Sequence, residues 1–201
     1  MSAVETVVVV DDDEAVRAAL GLLLQTVGLT TRSFASAGEF LANWDLQAPG
    51  CLVLDVRMPG MSGLELQEQL NLRGALLPVI FITGHGDVPM AVEAMQQGAF
   101  DFLQKPFRDQ DLLDRIQRAL AHDREQRSRI ARKDELRARF ATLTPRERDV
   151  LSLMTRGRPN KLMAADLSLS QRTIEIHRAR VMDKMQAGSL AQLVRMTLEL
   201  E

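Results

Sequence analysis

The chain has 201 residues, 46% of them apolar and 26% charged, a composition that suits one or two globular domains with substantial cores. Cys51 is the only cysteine, which excludes an intramolecular disulfide framework and favours a reducing compartment. No apolar run approaches the length of a membrane-spanning helix, and residues 1–5 lack the basic region of a signal peptide. We therefore expect a cytoplasmic protein without a membrane partner.

The first part of the chain alternates between apolar runs and amphipathic stretches. Near-continuous apolar runs favour buried parallel strands, and the stretches between them have helical spacing. Strands are predicted near residues 6–10, 29–34, 51–54, 78–82 and 100–103, and helices near 14–27, 36–44, 63–72, 88–97 and 109–121. This order predicts an α/β domain over residues 1–121, with a flavodoxin-like doubly wound (βα)5 sheet.

Polar side chains follow four of these predicted strands. Asp11 and Asp12 come after the first, Asp55 after the third, Thr83 after the fourth and Lys105 after the fifth. The carboxyl ends of parallel strands line one crevice, so these side chains should converge. Packed carboxylates repel unless a cation separates them, and oxygen ligands suit Mg²⁺ or Mn²⁺. A carboxylate can also act as a nucleophile towards a phosphoryl group, and Asp55 is the best placed to do so.

Four segments around these positions, residues 9–14, 52–63, 81–84 and 102–107, resemble the motifs of bacterial response-regulator receiver domains. The resemblance implies that Asp55 is the phosphoacceptor and that Thr83 and Lys105 contact the phosphoryl group. It also implies a set of Mg²⁺ ligands: Asp12, Asp55 and the backbone carbonyl of Arg57, with Asp11 contacting a metal-bound water. Phe102 matches the position of the switch aromatic residue, often Tyr in this family, so a phenolic hydrogen bond is not expected.

Charge is divided unevenly along the chain. Residues 1–123 carry 8 Lys and Arg against 17 Asp and Glu, a net charge of −9, whereas residues 124–201 carry 17 against 10, a net charge of +7. An acidic site that holds a cation accounts for the first part, and attraction to a polyanion such as DNA accounts for the second. The division predicts two domains with different partners.

The second part of the chain reads as entirely helical. Residues 122–141 are charged, lack Gly and Pro, and predict a helical linker. Within residues 142–201, Thr144 and Pro145 predict a helix start, and Glu147 supports a capping box there. A second helix is expected from about Asn160 to Leu167, and Ser170 should cap a third. With a fourth helix after Gly188-Ser189, this is an all-α four-helix domain with a helix-turn-helix.

The third of these helices is the candidate for the DNA major groove. A helical wheel places Ile174, Val181 and Met185 on its core side. The side opposite offers groups that can bind bases or phosphates: Arg172, Glu175, Ile176, Ala179 and Arg180.

Residues 143–151, 157–161 and 172–178 resemble the LuxR-type DNA-binding domain, and together with the receiver motifs they resemble the NarL/FixJ family, closest to its FixJ/StyR branch. The resemblance implies phosphate contacts at Lys161, Thr173 and Lys184, and base reading by Glu175, Ile176 and Ala179. It implies a two-component transcription factor rather than an enzyme. Its expected partners are a sensor histidine kinase, double-stranded promoter DNA and a second copy of the chain on phosphorylation, with RNA polymerase as a further candidate.

Two alternatives remain open from the residues alone. A phosphohydrolase of the haloacid dehalogenase kind would use Asp11 as the nucleophile and Asp13 as the acid, and would turn over a phosphomonoester. A receiver whose output domain binds protein or RNA would fail to bind any duplex DNA.

Overall fold

The computed structural model describes residues 4–84 and 88–200. The chain divides into two compact units, Met1–Arg127 and Ser128–Glu201. The prediction that residues 1–5 do not begin a signal peptide rests partly on residues 1–3, which lie outside the described residues. Within the described residues, no helix is both long and apolar enough to cross a bilayer.

The first unit is a five-stranded parallel sheet with helices between successive strands. Its elements are β1 (Thr6–Val10), α1 (Glu14–Thr26), β2 (Thr31–Phe34), α2 (Ala37–Asn43), β3 (Gly50–Asp55), α3 (Gly63–Leu72), β4 (Val79–Thr83), α4 (Val88–Gln96), β5 (Asp101–Gln104) and α5 (Asp109–Ala141). The strand order is β2-β1-β3-β4-β5, and every neighbouring pair is parallel. The predicted doubly wound α/β fold is confirmed, and β2 begins two residues later than expected.

Two apolar clusters cover the two faces of this sheet. Val8 and Val10 of β1 belong to one cluster, whereas Val7 and Val9 belong to the other. Successive side chains of a strand point to opposite faces, so a strand that is apolar at every position is buried on both sides. This is why the predicted strands carry continuous apolar runs rather than an alternating pattern.

Helix α5 is a single helix of 33 residues. The sequence predicts a receiver helix that ends near residue 121 and a separate helical linker, but no Gly or Pro interrupts the segment and the helix continues without a break. Leu112, Ile116 and Ala119 are fully buried against the sheet. The remainder of the helix is mostly exposed, which accounts for its charged sequence.

A buried polar cluster holds α5 to the start of β3. Asp123 is 1% exposed and accepts hydrogen bonds from the Gly50 amide at 3.0 Å and from Arg127 Nε at 2.8 Å. The same guanidinium donates to the carbonyls of Gln47 at 2.6 Å and Ala48 at 2.9 Å. Because these contacts satisfy the buried carboxylate, residues 122–127 pack as part of the first unit.

The second unit contains the end of α5 and four helices. These are α6 (Pro145–Thr155), α7 (Asn160–Leu167), α8 (Gln171–Met185) and α9 (Leu190–Leu200). The predicted starts are confirmed for α6, where Thr144 forms a capping box with Glu147, and for α8, where the Ser170 hydroxyl accepts from the Thr173 amide. The two units bear out the predicted arrangement of an α/β domain, helical connection and all-α domain.

Candidate functional site

The carboxyl ends of β1, β3 and β4 and the segment after β5 bring four of the predicted residues together. Asp11 is 1% exposed, Asp55 7% and Thr83 1%. The ammonium of Lys105 lies between two carboxylates, 3.0 Å from Asp11 Oδ2 and 3.2 Å from Asp55 Oδ1. The convergence expected from strand order is therefore observed, although 94 positions separate Asp11 from Lys105.

Burial and charge act in opposite directions on the titratable groups of this site. Burial raises the pKa of Asp55, although the hydrogen bond that its carboxylate accepts from the Arg57 amide and the nearby charge of Lys105 oppose the rise. Burial also lowers the pKa of Lys105, but the hydrogen bond to Asp11 and the charges of Asp11 and Asp55 outweigh it and raise the pKa. Lys105 therefore remains an ammonium, and a further cation near Asp55 would favour its charged, nucleophilic form.

The β1–α1 loop is fixed by its own hydrogen bonds. Asp11 Oδ1 accepts from the Asp13 amide at 2.9 Å, and Asp13 Oδ1 caps α1 by accepting from the amides of Ala15 and Val16. The Asp12 side chain is exposed, and among the described residues it has no hydrogen bond or ion pair. Asp13, which the sequence presents as an extension of the acidic run, is therefore the N-cap of α1.

The segment after β3 is equally constrained. Asp55 Oδ2 accepts from the Arg57 amide at 2.7 Å, and the Gly63 amide donates to the carbonyl of Val56 at 2.9 Å. A Cβ on Gly63 would lie 2.3 Å from the Asp55 carbonyl oxygen. Only glycine allows α3 to begin this close to the end of β3, which keeps Asp55 fixed.

Thr83 and Phe102 lie on adjacent strands. Phe102 pairs with Phe81 across the two strands, and the Thr83 carbonyl accepts from the Lys105 amide at 2.8 Å. The half-buried Phe102 ring lies 6.5 Å from the Phe81 ring, measured between centroids. The predicted switch residues are therefore connected through the backbone to the residue that bridges the carboxylates.

The donor set at this site fits a magnesium ion. Among residues 4–84 and 88–200, no group of three or more His, Cys, Asp or Glu side chains is arranged to enclose a metal. Magnesium does not require such a group, because it usually keeps several waters and binds one or two carboxylates. Asp55 and the exposed Asp12 provide carboxylates, and the buried Asp55 has the desolvated charge that a cation would offset.

The second unit presents a helix-turn-helix formed by α7 and α8. Ile174, Val181 and Met185 of α8 are buried, as the wheel predicted. Six of the predicted DNA-contacting residues are exposed: Lys161, Arg172, Glu175, Ile176, Ala179 and Arg180. Their side chains are therefore accessible to a duplex.

The other two predicted contacts, Thr173 and Lys184, have partners inside the unit. The Thr173 hydroxyl lies 2.8 Å from the Ser170 hydroxyl. Lys184 Nζ donates to Glu147 Oε2 at 2.6 Å and to the Thr142 carbonyl at 3.1 Å. A DNA phosphate at Lys184 would have to compete with a carboxylate that is already paired.

Sequence reasoning assigned Glu147 only to a capping box. Glu147 is 2% exposed, and the hydrogen bond from Lys184, together with the bond from the Thr144 amide, lowers its pKa to about 2. Glu147 and Lys184 are 37 positions apart on different helices. No local pattern in the sequence signals this pair.

Two family models match the chain. Residues 7–117 match the response regulator receiver domain, and residues 141–197 match the bacterial regulatory proteins of the luxR family. Several similar proteins extend over nearly the whole chain. The response regulator protein TodT of Pseudomonas putida is 46% identical over 193 residues, covering 96% of this chain and 85% of TodT. The transcriptional regulatory protein FixJ of Azorhizobium caulinodans is 50% identical over 193 residues, covering 94% of this chain and 90% of FixJ.

A solved structure of the response regulator StyR is also similar. It is 46% identical, covers 98% of this chain and 100% of its own, and has a TM-score of 0.91. Receiver domains generally bind Mg²⁺ for phosphorylation, and the relatives named here are described as regulators. The chain therefore belongs to the two-component response regulators that join a receiver domain to a LuxR-type DNA-binding domain and act as transcription factors.

Proposed function

We propose that a sensor histidine kinase transfers a phosphoryl group to Asp55 and that this transfer controls binding to promoter DNA in the cytoplasm. The P–N bond of a phosphorylated kinase histidine breaks as a P–O bond forms at an Asp55 carboxylate oxygen. The observation that carries this proposal is the Lys105 ammonium within 3.2 Å of Asp55 Oδ1, at the buried end of β3. This ammonium can compensate the charge that develops on the phosphoryl oxygens.

The proposed metal ligands are the carboxylates of Asp12 and Asp55 and the backbone carbonyl of Arg57, with Asp11 accepting from a metal-bound water. Mg²⁺ or Mn²⁺, when bound there, would neutralise negative charge on the carboxylates and the phosphoryl group. The protein residues orient the acceptor: the Arg57 amide holds one Asp55 oxygen, and Lys105 holds the other.

The response to phosphate would pass through Thr83 and Phe102 to a dimer surface. Thr83 would donate its hydroxyl to a phosphoryl oxygen, and the Phe102 ring would follow it inward. The proposed surface is the face around Val88–Met95 and the adjacent β5, where Val92 and Met95 are 48% and 47% exposed. Exposed apolar side chains on one helix favour a partner of similar character, here a second copy of the chain. The side chain of Val88 lies outside the described residues.

Dimerisation would place two α8 helices on adjacent half-sites of a promoter. Lys161, Arg172, Thr173, Arg180 and Lys184 would contact phosphates or guanine edges. Glu175, Ile176 and Ala179 would read bases, and RNA polymerase would be recruited or blocked at the bound promoter. The net charge of +7 over residues 124–201 supports DNA as the partner.

Phosphorylation of the Asp55→Asn variant by acetyl phosphate tests the acceptor. We expect the wild-type protein to form an acid-labile, base-labile adduct and the variant to form none, because the amide is a far poorer nucleophile. An adduct that persists in the variant would place the acceptor elsewhere. Steady hydrolysis of a phosphomonoester that depends on Asp11 would support the phosphohydrolase alternative. Asp13, the acid in that alternative, caps α1 through its Oδ1.

A further inference from the structure

Arg17 connects helix α1 to the loop that carries the acidic residues. Its Nη1 donates to the backbone carbonyl of Asp11 at 2.7 Å, and its own amide donates to the Asp13 carbonyl at 3.1 Å. Arg17 as a whole is half-buried. The amide bond is the first backbone bond of α1, whereas the side-chain bond is particular to Arg17 and restrains the loop at the residue before Asp12.

The contact acts on the backbone and leaves the carboxylates available. Among the described residues, Arg17 makes no ion pair with a carboxylate, although four consecutive acidic residues, 11–14, lie beside it. A cation paired directly with Asp12 would compete with a metal for the same oxygens. The Arg17 contact restrains the loop without that competition.

The contact is also independent of Lys105. Lys105 Nζ is shared by Asp11 Oδ2 and Asp55 Oδ1. If Lys105 turns to a phosphoryl group on Asp55, its bond to Asp11 weakens or is lost. The Arg17 bond to the Asp11 carbonyl is unaffected by that change, because it does not involve the carboxylate.

We propose that Arg17 is a positioning residue for the metal-binding loop: it holds the backbone at Asp11 so that Asp12 stays directed to the metal before and after phosphoryl transfer. The proposal rests on the Mg²⁺ site described under the proposed function. Helix α1 would then not only cover the sheet but also position the metal-binding loop through Arg17.

Calorimetric titration of the full-length chain with Mg²⁺ tests the proposal, with Arg17→Gln, Arg17→Lys and an Arg73→Gln control. Arg73 is exposed at the C-terminal end of α3. The loss of one hydrogen bond should weaken the Kd for Mg²⁺ about two- to tenfold in Arg17→Gln. Arg17→Lys should recover part of the loss, because it keeps a charged donor, and Arg73→Gln should match the wild type.

The results distinguish a failure of the Arg17 inference from a failure of the proposed Mg²⁺ site. An unchanged Kd in Arg17→Gln, even with a lower free energy of unfolding, would show that Arg17 serves the fold alone and would overturn the inference. If the wild-type protein itself does not bind Mg²⁺, the proposed metal site fails as well.

A double-mutant cycle tests whether Arg17 and Lys105 share the task of restraining the loop at Asp11. In a Lys105→Ala background the bond from Lys105 to the Asp11 carboxylate is lost while the bond from Arg17 to the Asp11 carbonyl remains, so Arg17→Gln should cost a larger factor in Kd than in the wild type. An equal or smaller factor would overturn the claim that Arg17 holds the loop when Lys105 is engaged elsewhere.

Discussion

Glu147→Gln should destabilise the DNA-binding unit at neutral pH and have no effect at low pH. The Glu147 carboxylate is buried and accepts hydrogen bonds from Lys184 Nζ at 2.6 Å and from the Thr144 amide at 2.9 Å. Glutamine keeps an oxygen for the Thr144 amide but removes the charge that pairs with Lys184. The substitution therefore isolates the ionic part of the contact.

The magnitude follows from the pKa of Glu147, which the hydrogen bond from Lys184 and, second in size, the bond from the Thr144 amide lower from 4.5 to about 2. At about 1.4 kcal/mol per pKa unit, the difference corresponds to roughly 3 kcal/mol in the free energy of unfolding. Glutamine retains the bond from the Thr144 amide, and Lys184 is about a third exposed to solvent screening, so the expected loss is smaller, about 1–3 kcal/mol. Because the folded-state pKa is depressed, this stabilisation is complete above the unfolded pKa and disappears as the pH falls from about 5 to about 2.

Urea unfolding of the full-length chain, followed by far-UV circular dichroism, measures the change. Trp44 is the only tryptophan and lies in the first unit, so its fluorescence records that unit separately. Asp149→Asn is the matched control on α6, because its exposed pair with Arg146 at 3.5 Å should contribute little. Wild-type stability of the Glu147→Gln variant at pH 7, or a loss of stability that persists near pH 2, would refute this role of the Glu147–Lys184 pair.

Three further substitutions test the receiver, the α5 contact and the DNA interface. Without metal, Asp55→Asn should raise the free energy of unfolding of the receiver above about pH 4 and not below, because burial raises the pKa of Asp55 and makes its ionisation unfavourable. Unfolding followed by tryptophan fluorescence measures this, and a lower free energy of unfolding in the variant above about pH 4 would contradict it. Asp123→Ala should cost about 1–3 kcal/mol in the same assay, since it leaves the buried Gly50 amide without its acceptor and the half-buried Arg127 guanidinium without a carboxylate; a loss under about 0.5 kcal/mol would contradict this. Glu175→Ala should change which operator sequences are preferred, whereas Lys161→Ala should weaken all duplexes alike and lower the salt slope by about one; exchanged effects in salt-dependent binding would mean that α8 docks in another orientation.

The sequence was sufficient to predict the residues that meet at the sheet edge. Asp55 and Thr83 end their strands, Asp11 and Lys105 directly follow theirs, and parallel strand ends share one edge whatever their separation along the chain. Helix starts at Thr144 and Ser170 were predictable because capping depends on neighbouring residues.

What the sequence did not predict depends on contacts between distant elements. A helical wheel gives the angle of Lys184 on α8, but it cannot show that Glu147 of α6 lies beside it. The same holds for Asp123 and the Gly50 amide, which are 73 positions apart. The long α5 was divided in the prediction because its composition changes near residue 121, yet a change from apolar to charged residues alters burial without ending a helix.

The buried Asp123 determines where the first unit can be separated from the rest of the chain. A fragment that ends at residue 121, where the apolar pattern of α5 stops, would lack both Asp123 and Arg127. The Gly50 amide and the carbonyls of Gln47 and Ala48 would lose their partners at the start of the strand that carries Asp55 at its other end. A receiver fragment intended for phosphorylation or metal-binding studies should therefore extend at least through Arg127.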